Sequence, residues 1–185
     1  NRCLVGSEMC IRDSHSPGAV AGHSLGEFSS LVANNTISFE DGLKLVFLRA
    51  KAMQKSCENS NGTMAAILGL DDKIIKETCE SFDGNVTAAN FNCPGQVVIS
   101  GESNAVKMIC EKFNEIGARR SILLPVGGAF HSNLMNDAKS ELKEAIHKTK
   151  FNNPTCPIYQ NFTAQKTTSI DIIKENLINQ LTAPV

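Results

Sequence analysis

The sequence predicts an α/β fold in which a smaller subdomain is inserted into a larger domain of sheet and helices. Two observations predict this class. Residues 19–33 have the pattern of a short apolar strand, a turn flanked by glycines and an amphipathic helix. Residues 61–126 alternate between strand-like and helix-like spacing of apolar side chains, in the order βαββαβ. A chain of 185 residues is long enough for one domain of this kind with a sizeable core.

The overall composition is typical of a globular protein. Hydrophobic residues make up 42% and charged residues 20% of the chain, which is enough apolar material to form a core. The 18 basic and 19 acidic residues give a net charge of −1, which provides no electrostatic attraction to nucleic acid or an anionic membrane. No apolar run approaches the ~20 residues that a membrane span requires. We therefore expect neither nucleic acid nor a membrane as a partner.

The cysteines and histidines indicate the cellular compartment and argue against a metal site. The seven cysteines form no C-x-x-C pair, and the four histidines have no metal-ligand spacing. An odd number of unpatterned cysteines is typical of reduced thiols. We therefore expect a cytoplasmic protein with no disulfide bonds and no metal ion.

The first 14 residues differ from the rest of the chain. They show neither an apolar period nor the apolar centre of a signal peptide, and we interpret residues 1–14 as a non-native leader. The remaining sequence predicts a larger subdomain formed by residues 15–60 and 127–185. A smaller subdomain of residues 61–126 lies between these two parts. We expect the natural protein to be longer than this chain at both ends.

The first part of the larger subdomain is predicted to be a strand, a sharp turn and two helices. Ser38 and Asp41 are spaced as a cap for the second helix, over residues 39–57. We predict that five side chains form the apolar face of this helix: Leu43, Val46, Phe47, Ala50 and Met53. Arg49 lies apart from the lysines of the helix, among apolar and small helical neighbours. An arginine in such surroundings must either bind an anion or incur a large desolvation cost.

The inserted unit and the segment after it complete the predicted elements. Strands are predicted at residues 63–70, 86–91, 96–100 and 119–126, and helices at residues 73–82 and 103–117. This order is that of a ferredoxin-like unit. The larger subdomain then continues with a helix over residues 135–148, an extended segment over residues 154–162 and a helix over residues 171–181.

The turn at residues 22–26, Gly-His-Ser-Leu-Gly, matches the Gly-x-Ser-x-Gly pattern of a nucleophile elbow. A sharp turn between strand and helix holds a serine hydroxyl clear of the backbone, which makes Ser24 a candidate nucleophile. The backbone N–H of Leu25, at the N-terminus of the helix, is placed to stabilise an oxyanion. The alternative is a glycine-rich turn that contains an ordinary serine.

A serine nucleophile needs a base, and His131 is the candidate that remains after the other histidines are considered. His147 lies late in a lysine-rich helix, and His15 adjoins the leader. His23 is next to Ser24 on a tight turn and points elsewhere. His131 follows two glycines in a loop after the inserted unit. Elimination alone leaves two interpretations open, a catalytic base or a structural histidine.

Further motifs occur in order along the chain. They are Gly22 to Phe28, Arg49 with Met53 and Gln54, residues 90–92 with 94–96, residues 129–132, and Leu177 with residues 180–181 and 184–185. Together, over residues 20–185, they resemble the malonyl-CoA:acyl carrier protein transacylase family of type II fatty acid synthesis. The resemblance implies a hydrolase-like parallel-sheet domain, incomplete in this chain, with an inserted ferredoxin-like βαββαβ subdomain.

The resemblance also implies roles for individual residues. Ser24 would be the nucleophile and His131 its base, with the imidazole oriented by a backbone carbonyl near Gln180. Arg49 would bind the malonyl carboxylate, for which a guanidinium is well suited. Phe130 would select malonyl over bulkier acyl groups. The substrates would be malonyl-CoA and the phosphopantetheine thiol of acyl carrier protein, in a ping-pong reaction of a monomeric acyltransferase without a bound cofactor.

One departure from the family and several alternatives bear on this prediction. The family begins with a strand and a loop whose glutamine supplies a second oxyanion-hole N–H, and residues 1–15 do not match it. Loss of one such donor costs ~10²–10³ in rate, so we expect weak activity from this chain alone. Asn90 and Asn92 fit either a pocket or a turn. The alternatives are an acyltransferase domain of a polyketide synthase, a general serine hydrolase, a non-catalytic module that docks acyl carrier protein, and an inactive fragment.

Overall fold

The computed structural model describes residues 16–185, so the predicted leader at residues 1–14 and His15 lie outside the described residues. In chain order the elements are β1 (Val20–Ala21), α1 (Gly26–Ala33), α2 (Phe39–Asn59), β2 (Gly62–Leu68), α3 (Asp72–Ser81), β3 (Val86–Cys93), β4 (Gln96–Glu102), α4 (Ser103–Glu115), β5 (Arg120–Leu123), a 3₁₀ turn (Asn133–Met135), α5 (Asn136–Lys148), β6 (Ile158–Tyr159), β7 (Lys166–Thr167) and α6 (Ile170–Gln180). The predicted α/β class is confirmed. No helix within residues 16–185 is long and apolar enough to span a membrane.

The inserted unit has the predicted ferredoxin-like topology. Its sheet has the order β3-β4-β2-β5, and every neighbouring pair is antiparallel. Helices α3 and α4 cover one face of the sheet and form a core with it. The fully buried side chains of this core include Ile67, Ile75, Val97, Ile99, Val106, Ile109 and Phe113. A smaller apolar cluster around Met64, Ala89 and Val98 lies on the opposite face of the sheet.

The larger subdomain has a mixed sheet in the part that the structure describes. Strand β1 pairs with β6 in parallel, as expected, whereas β7 pairs with β6 in an antiparallel direction. Helices α1, α2, α5 and α6 contribute to one apolar core with this sheet. Its large, fully buried side chains include Phe28, Leu31, Leu45, Met135, Leu142, Ile158 and Leu177. The predicted division of the chain at residues 60 and 126 stays a prediction.

The predicted apolar face of α2 is wrong except at Met53, which is buried as predicted. Leu43 and Phe47 are each 59% exposed, whereas Arg49 is only 5% exposed. The buried residues of the helix are Gly42, Leu45, Arg49, Ala52, Met53 and Ser56. The buried side of the helix is therefore the side that carries Arg49. The helix begins as predicted, because the Ser38 hydroxyl accepts the Asp41 N–H at 3.0 Å.

The segment that follows α6 connects the two subdomains. Phe91 donates its backbone N–H to the Val185 carbonyl at 2.8 Å, and the Val185 N–H donates to the Ala89 carbonyl at 2.9 Å. The segment thereby extends the edge of β3. This pairing holds the C-terminal end of α6, including Gln180, beside the inserted unit.

Candidate active site

Ser24 lies on the sharp turn between β1 and α1. A Cβ atom on Gly22 would overlap the backbone carbonyl of Gly26, so only glycine allows the two sides of this turn to approach so closely. Ser24 itself has a φ of 52°, in the left-handed region that residues other than glycine rarely adopt. The turn is therefore a strained conformation that projects one hydroxyl group at the start of a helix.

His131 lies in the loop between β5 and the 3₁₀ turn, and its neighbour Ser132 fixes the shape of this loop. The Ser132 hydroxyl donates to the Ala129 carbonyl at 2.6 Å and accepts the Leu134 N–H at 3.3 Å. His131 also has a positive φ, of 56°, and is 3% exposed. The loop thus holds a buried imidazole in a single orientation.

The hydrogen bonds of the His131 ring define its tautomer. Nδ1 lies 2.9 Å from the backbone carbonyl oxygen of Gln180, and Nε2 lies 2.8 Å from Ser24 Oγ. A carbonyl oxygen only accepts, so Nδ1 carries the proton and donates it to Gln180. Nε2 is then the basic nitrogen, and it accepts the hydroxyl proton of Ser24. The two residues are 107 positions apart in sequence.

Burial lowers the pKa of the His131 imidazole to about 4, with the Gln180 carbonyl opposing the shift and the charges of Arg49 and His23 adding to it. The ring is therefore neutral near pH 7. A neutral imidazole with a free Nε2 is the form that can take a proton from a nucleophile.

Arg49 reaches the same hydroxyl from helix α2. Its Nη2 donates to Ser24 Oγ at 3.0 Å, while its buried Nε has no hydrogen-bond partner. Burial lowers the pKa of the guanidinium, and the charge of Glu27 opposes this shift. Among residues 16–185 no carboxylate lies within ion-pair distance of Arg49. The structure therefore provides a buried cation with donor capacity left for an external anion.

The backbone N–H of Leu25 precedes the first turn of α1. No described residue accepts a hydrogen bond from this N–H, whereas the Ser24, Gly26 and Glu27 N–H groups are all bonded within the protein. The Leu25 N–H is therefore a donor without a described partner at the positive end of a helix, and its role as an oxyanion donor stays a prediction.

The side chains of Ser24, Arg49 and His131 open into a cavity of about 550 Å³ between the inserted unit and the rest of the described chain. Ser24, Arg49, Phe130 and His131 line it, together with Ala50, Met53, Gln54, Met64, Asn90, Asn92, Val98 and Leu124. Half of the lining residues are apolar, and the polar groups of Ser24, Arg49 and His131 meet at one point of the wall, a combination that is typical of ligand pockets. Gln180 lies behind His131, outside this lining. No group of His, Cys, Asp or Glu in residues 16–185 is arranged to hold a metal ion.

Sequence reasoning missed Asn161, and it missed the side-chain hydrogen bonds of Gln180 and Glu27 behind the turn. Asn161 accepts the Ser24 N–H through Oδ1 at 2.7 Å and donates from Nδ2 to the Gly22 carbonyl at 2.9 Å. The Gln180 side chain donates from Nε2 to the Ser24 carbonyl at 3.0 Å. The carboxylate of Glu27 accepts the Asn161 N–H. Asn161 follows a two-residue strand in an otherwise irregular segment, so no periodicity marked it.

Comparison with known proteins gives consistent matches over nearly the whole chain. The family model described as the acyl transferase domain matches residues 12–185. The malonyl CoA-acyl carrier protein transacylase of Staphylococcus aureus (strain MRSA252) is 40% identical over 172 residues, which are 91% of this chain and 56% of that protein. The chain thus spans about half the length of this relative.

Solved structures share the fold. The acyl-carrier-protein S-malonyltransferase of Burkholderia pseudomallei 1710b has a TM-score of 0.91 and 38% identity, over 99% of this chain and 60% of that chain. A malonyl-transacylase solved in complex with a type II polyketide synthase acyl-carrier protein also has a TM-score of 0.91, with 34% identity over 99% of this chain and 60% of that chain.

Proposed function

The chain belongs to the acyl transferase domain family, and on this premise we propose that it transfers a malonyl group from malonyl-CoA to the phosphopantetheine thiol of acyl carrier protein, for fatty acid biosynthesis. The observation that carries the proposal is the convergence of His131 and Arg49 on the hydroxyl of Ser24, at 2.8 and 3.0 Å. A hydroxyl with a neutral base on one side and a cation on the other suits attack on an acyl group that bears a carboxylate.

In the first half-reaction Ser24 Oγ attacks the thioester carbonyl carbon of malonyl-CoA. The hydroxyl proton passes to His131 Nε2 as the bond to oxygen forms. The Leu25 N–H stabilises the negative charge that develops on the carbonyl oxygen. The carbon–sulfur bond then breaks, and His131 returns the proton to the departing sulfur, which leaves coenzyme A and a malonyl ester on Ser24.

In the second half-reaction the phosphopantetheine thiol of the carrier protein attacks the ester carbonyl carbon. His131 Nε2 accepts the thiol proton, the bond between carbon and Ser24 Oγ breaks, and the proton passes from His131 to the serine oxygen. The product is malonyl carrier protein, and the enzyme returns to its starting state. The same imidazole thus serves as base and acid in both halves of a ping-pong reaction.

Arg49 is the residue that would make the site prefer a malonyl group to an acetyl group. A malonyl group differs from an acetyl group by one carboxylate, and a guanidinium can bind that carboxylate through two parallel hydrogen bonds. The unpaired Nε of Arg49 supports this role, because it leaves a buried donor for which the protein supplies no acceptor. Phe130, which lines the cavity, would restrict its width beside the acyl group.

The partner of His131 Nδ1 favours transfer over general hydrolysis. The serine hydrolase alternative predicts an acidic residue at this nitrogen, as in a Ser-His-Asp triad. Here the partner is the backbone carbonyl of Gln180 at 2.9 Å. A carbonyl dipole orients the imidazole without a full negative charge beside it. The alternative of a polyketide synthase domain uses the same site chemistry and differs in the carrier protein that it serves.

We further propose that the protein works as a monomer in the cytoplasm and needs no bound cofactor. Its seven cysteines without disulfide patterning support the compartment. All the groups that the two half-reactions use belong to one chain, which supports the monomer. Light scattering of the purified protein would measure its mass in solution.

The test of the proposed function is a transfer assay with the whole protein. Malonyl-CoA and phosphopantetheinylated acyl carrier protein are mixed with enzyme, and mass spectrometry measures malonyl carrier protein over time. We expect rapid transfer by the wild type and by the control His147→Ala, which alters an exposed histidine on α5. Ser24→Ala should abolish transfer. Hydrolysis of malonyl-CoA without formation of malonyl carrier protein would support a hydrolase instead.

A further inference from the structure

We propose that Asn161 is a positioning residue, whose carboxamide bridges the two sides of the nucleophile turn and holds Ser24 in its reactive conformation. The inference deepens the proposed function and rests on the part of it that makes Ser24 the nucleophile. It does not depend on which acyl group Ser24 carries.

The two ends of the Asn161 carboxamide bind opposite sides of the turn. Oδ1 accepts the Ser24 N–H at 2.7 Å, and Nδ2 donates to the Gly22 carbonyl at 2.9 Å. One rigid planar group therefore connects the residue before the turn to the nucleophile itself, across 137 positions of sequence in the case of Ser24. The Gln180 side chain adds bonds from Nε2 to the Ser24 carbonyl and to Asn161 Oδ1, at 3.0 and 3.2 Å.

The backbone of Asn161 is itself held by a hydrogen bond to a fully buried carboxylate. Glu27 is 0% exposed and accepts the backbone N–H of Asn161. Gln160 donates to Glu27 at 3.4 Å and to the Ile173 carbonyl at 3.1 Å, and Asn176 donates to Gln160 at 3.0 Å. Bonds from α1 and α6 thus converge on two consecutive residues, Gln160 and Asn161. Such a network fixes the carboxamide before any substrate arrives.

The strain at Ser24 explains why such a bridge is needed. Ser24 has a φ of 52°, a conformation of higher free energy than the ordinary backbone regions. Such a strained residue persists only where the surrounding structure holds it. The bridge opposes relaxation to those regions and keeps Oγ at 2.8 Å from His131 Nε2. It also occupies the Ser24 N–H, so that the neighbouring Leu25 N–H is the one left to face an oxyanion.

The test measures the reactivity of Ser24 without malonyl-CoA. A fluorophosphonate probe reacts with an activated serine irrespective of its natural acyl group, and the second-order rate constant of Ser24 labelling is measured by mass spectrometry. In Asn161→Ala we expect this constant to fall about 10²-fold, the effect of misplacing a reacting group by about 1 Å. The matched control is Asn34→Ala, because Asn34 is a buried asparagine that also binds backbone groups but lies at the far end of α1. The control should label at the wild-type rate even if its thermal midpoint falls.

A second variant guards against failure of the alanine variant to fold. Asn161→Asp keeps the shape and the acceptor for the Ser24 N–H, but it loses the donor to Gly22 and adds a negative charge that disfavours an oxyanion. We expect an intermediate labelling rate. A wild-type rate in either folded Asn161 variant would overturn the proposal, as would an equal loss of labelling in Asn34→Ala.

Steady-state transfer separates this inference from the proposed function. Where malonyl-CoA is the substrate, kcat should fall in Asn161→Ala while KM stays near its wild-type value, because Asn161 does not line the cavity. A rise in KM with an unchanged kcat would refute positioning. Failure of the wild type to accept malonyl-CoA, with probe labelling still dependent on Asn161, would refute the proposed substrate and leave the role of Asn161 intact.

Discussion

Under the proposed function, replacement of Arg49 by methionine should remove most of the preference for malonyl-CoA over acetyl-CoA. Arg49 is 5% exposed and lines the cavity beside Ser24. Methionine has a similar length and no charge, so Arg49→Met removes the guanidinium without leaving a large void. The variant therefore tests the charge of this residue rather than its volume.

The structure indicates the size of the effect. Truncating one partner of a buried, hydrogen-bonded charge pair costs about 2–5 kcal/mol, which corresponds to roughly 30-fold to several thousand-fold in kcat/KM for malonyl-CoA. Acetyl-CoA has no carboxylate, so it loses only the 3.0 Å bond from Nη2 to Ser24 Oγ. One hydrogen bond contributes about 1 kcal/mol, or roughly fivefold. The ratio of the two kcat/KM values should therefore fall by at least about fivefold.

Stability gives a second readout of the same variant. Burial lowers the pKa of Arg49, and Nε has no partner, so the folded state holds a poorly satisfied cation. We expect the thermal midpoint of Arg49→Met to equal or exceed that of the wild type. Functional residues often have such a stability cost.

The assay compares initial rates of acyl transfer from malonyl-CoA and acetyl-CoA. Lys44→Met, which removes an exposed cation from the same helix, is the control and should leave both rates unchanged. Equal losses for the two substrates in Arg49→Met would refute the assignment of Arg49 to the carboxylate. A marked drop in the thermal midpoint would show that Arg49 is a structural residue.

Three further predictions follow from the site. Because burial lowers the pKa of His131 to about 4, the base stays neutral above that value, and kcat/KM should be lost only as the pH falls through about 4; a loss centred near pH 6.5 in the pH–rate profile would contradict the buried geometry. Gly22→Ala should lower the free energy of unfolding by about 1–3 kcal/mol in urea titration and slow Ser24 labelling, because its methyl group would overlap Gly26, and unchanged values would contradict the tight turn. Phe130→Ala enlarges the cavity and should raise activity with methylmalonyl-CoA relative to malonyl-CoA, and an unchanged ratio would exclude Phe130 as the selecting residue.

Much of the fold could be predicted because its signals are local. The order of elements in the inserted unit follows from apolar spacing and turn residues, and the sheet order β3-β4-β2-β5 agrees with it. The elbow at Ser24 could be predicted for the same reason, since two glycines and a strand-to-helix switch lie within a few residues.

Other features depend on contacts that the sequence pattern does not record. The buried face of α2 was mispredicted because Leu43 and Phe47 are apolar but exposed, while the face that is buried carries the charge of Arg49. The spacing of apolar residues does not predict the buried face of a helix when a charged residue lies on that face. The hydrogen bonds by which Asn161 bridges the turn could not be predicted from the sequence for a different reason. They require β6 to pair beside β1, and no local spacing specifies that pairing.

The most direct test of a malonyl-serine enzyme is to find the covalent intermediate. The whole protein is incubated with equal concentrations of malonyl-CoA and acetyl-CoA without carrier protein, and peptide mass spectrometry locates the acyl group. We predict a malonyl ester on the peptide that contains Ser24, in large excess over acetyl ester, and absent from His131→Ala. An unmodified Ser24, a malonyl group on another residue, or equal acetylation of Ser24 would contradict the convergence of hydroxyl, imidazole and guanidinium on one substrate.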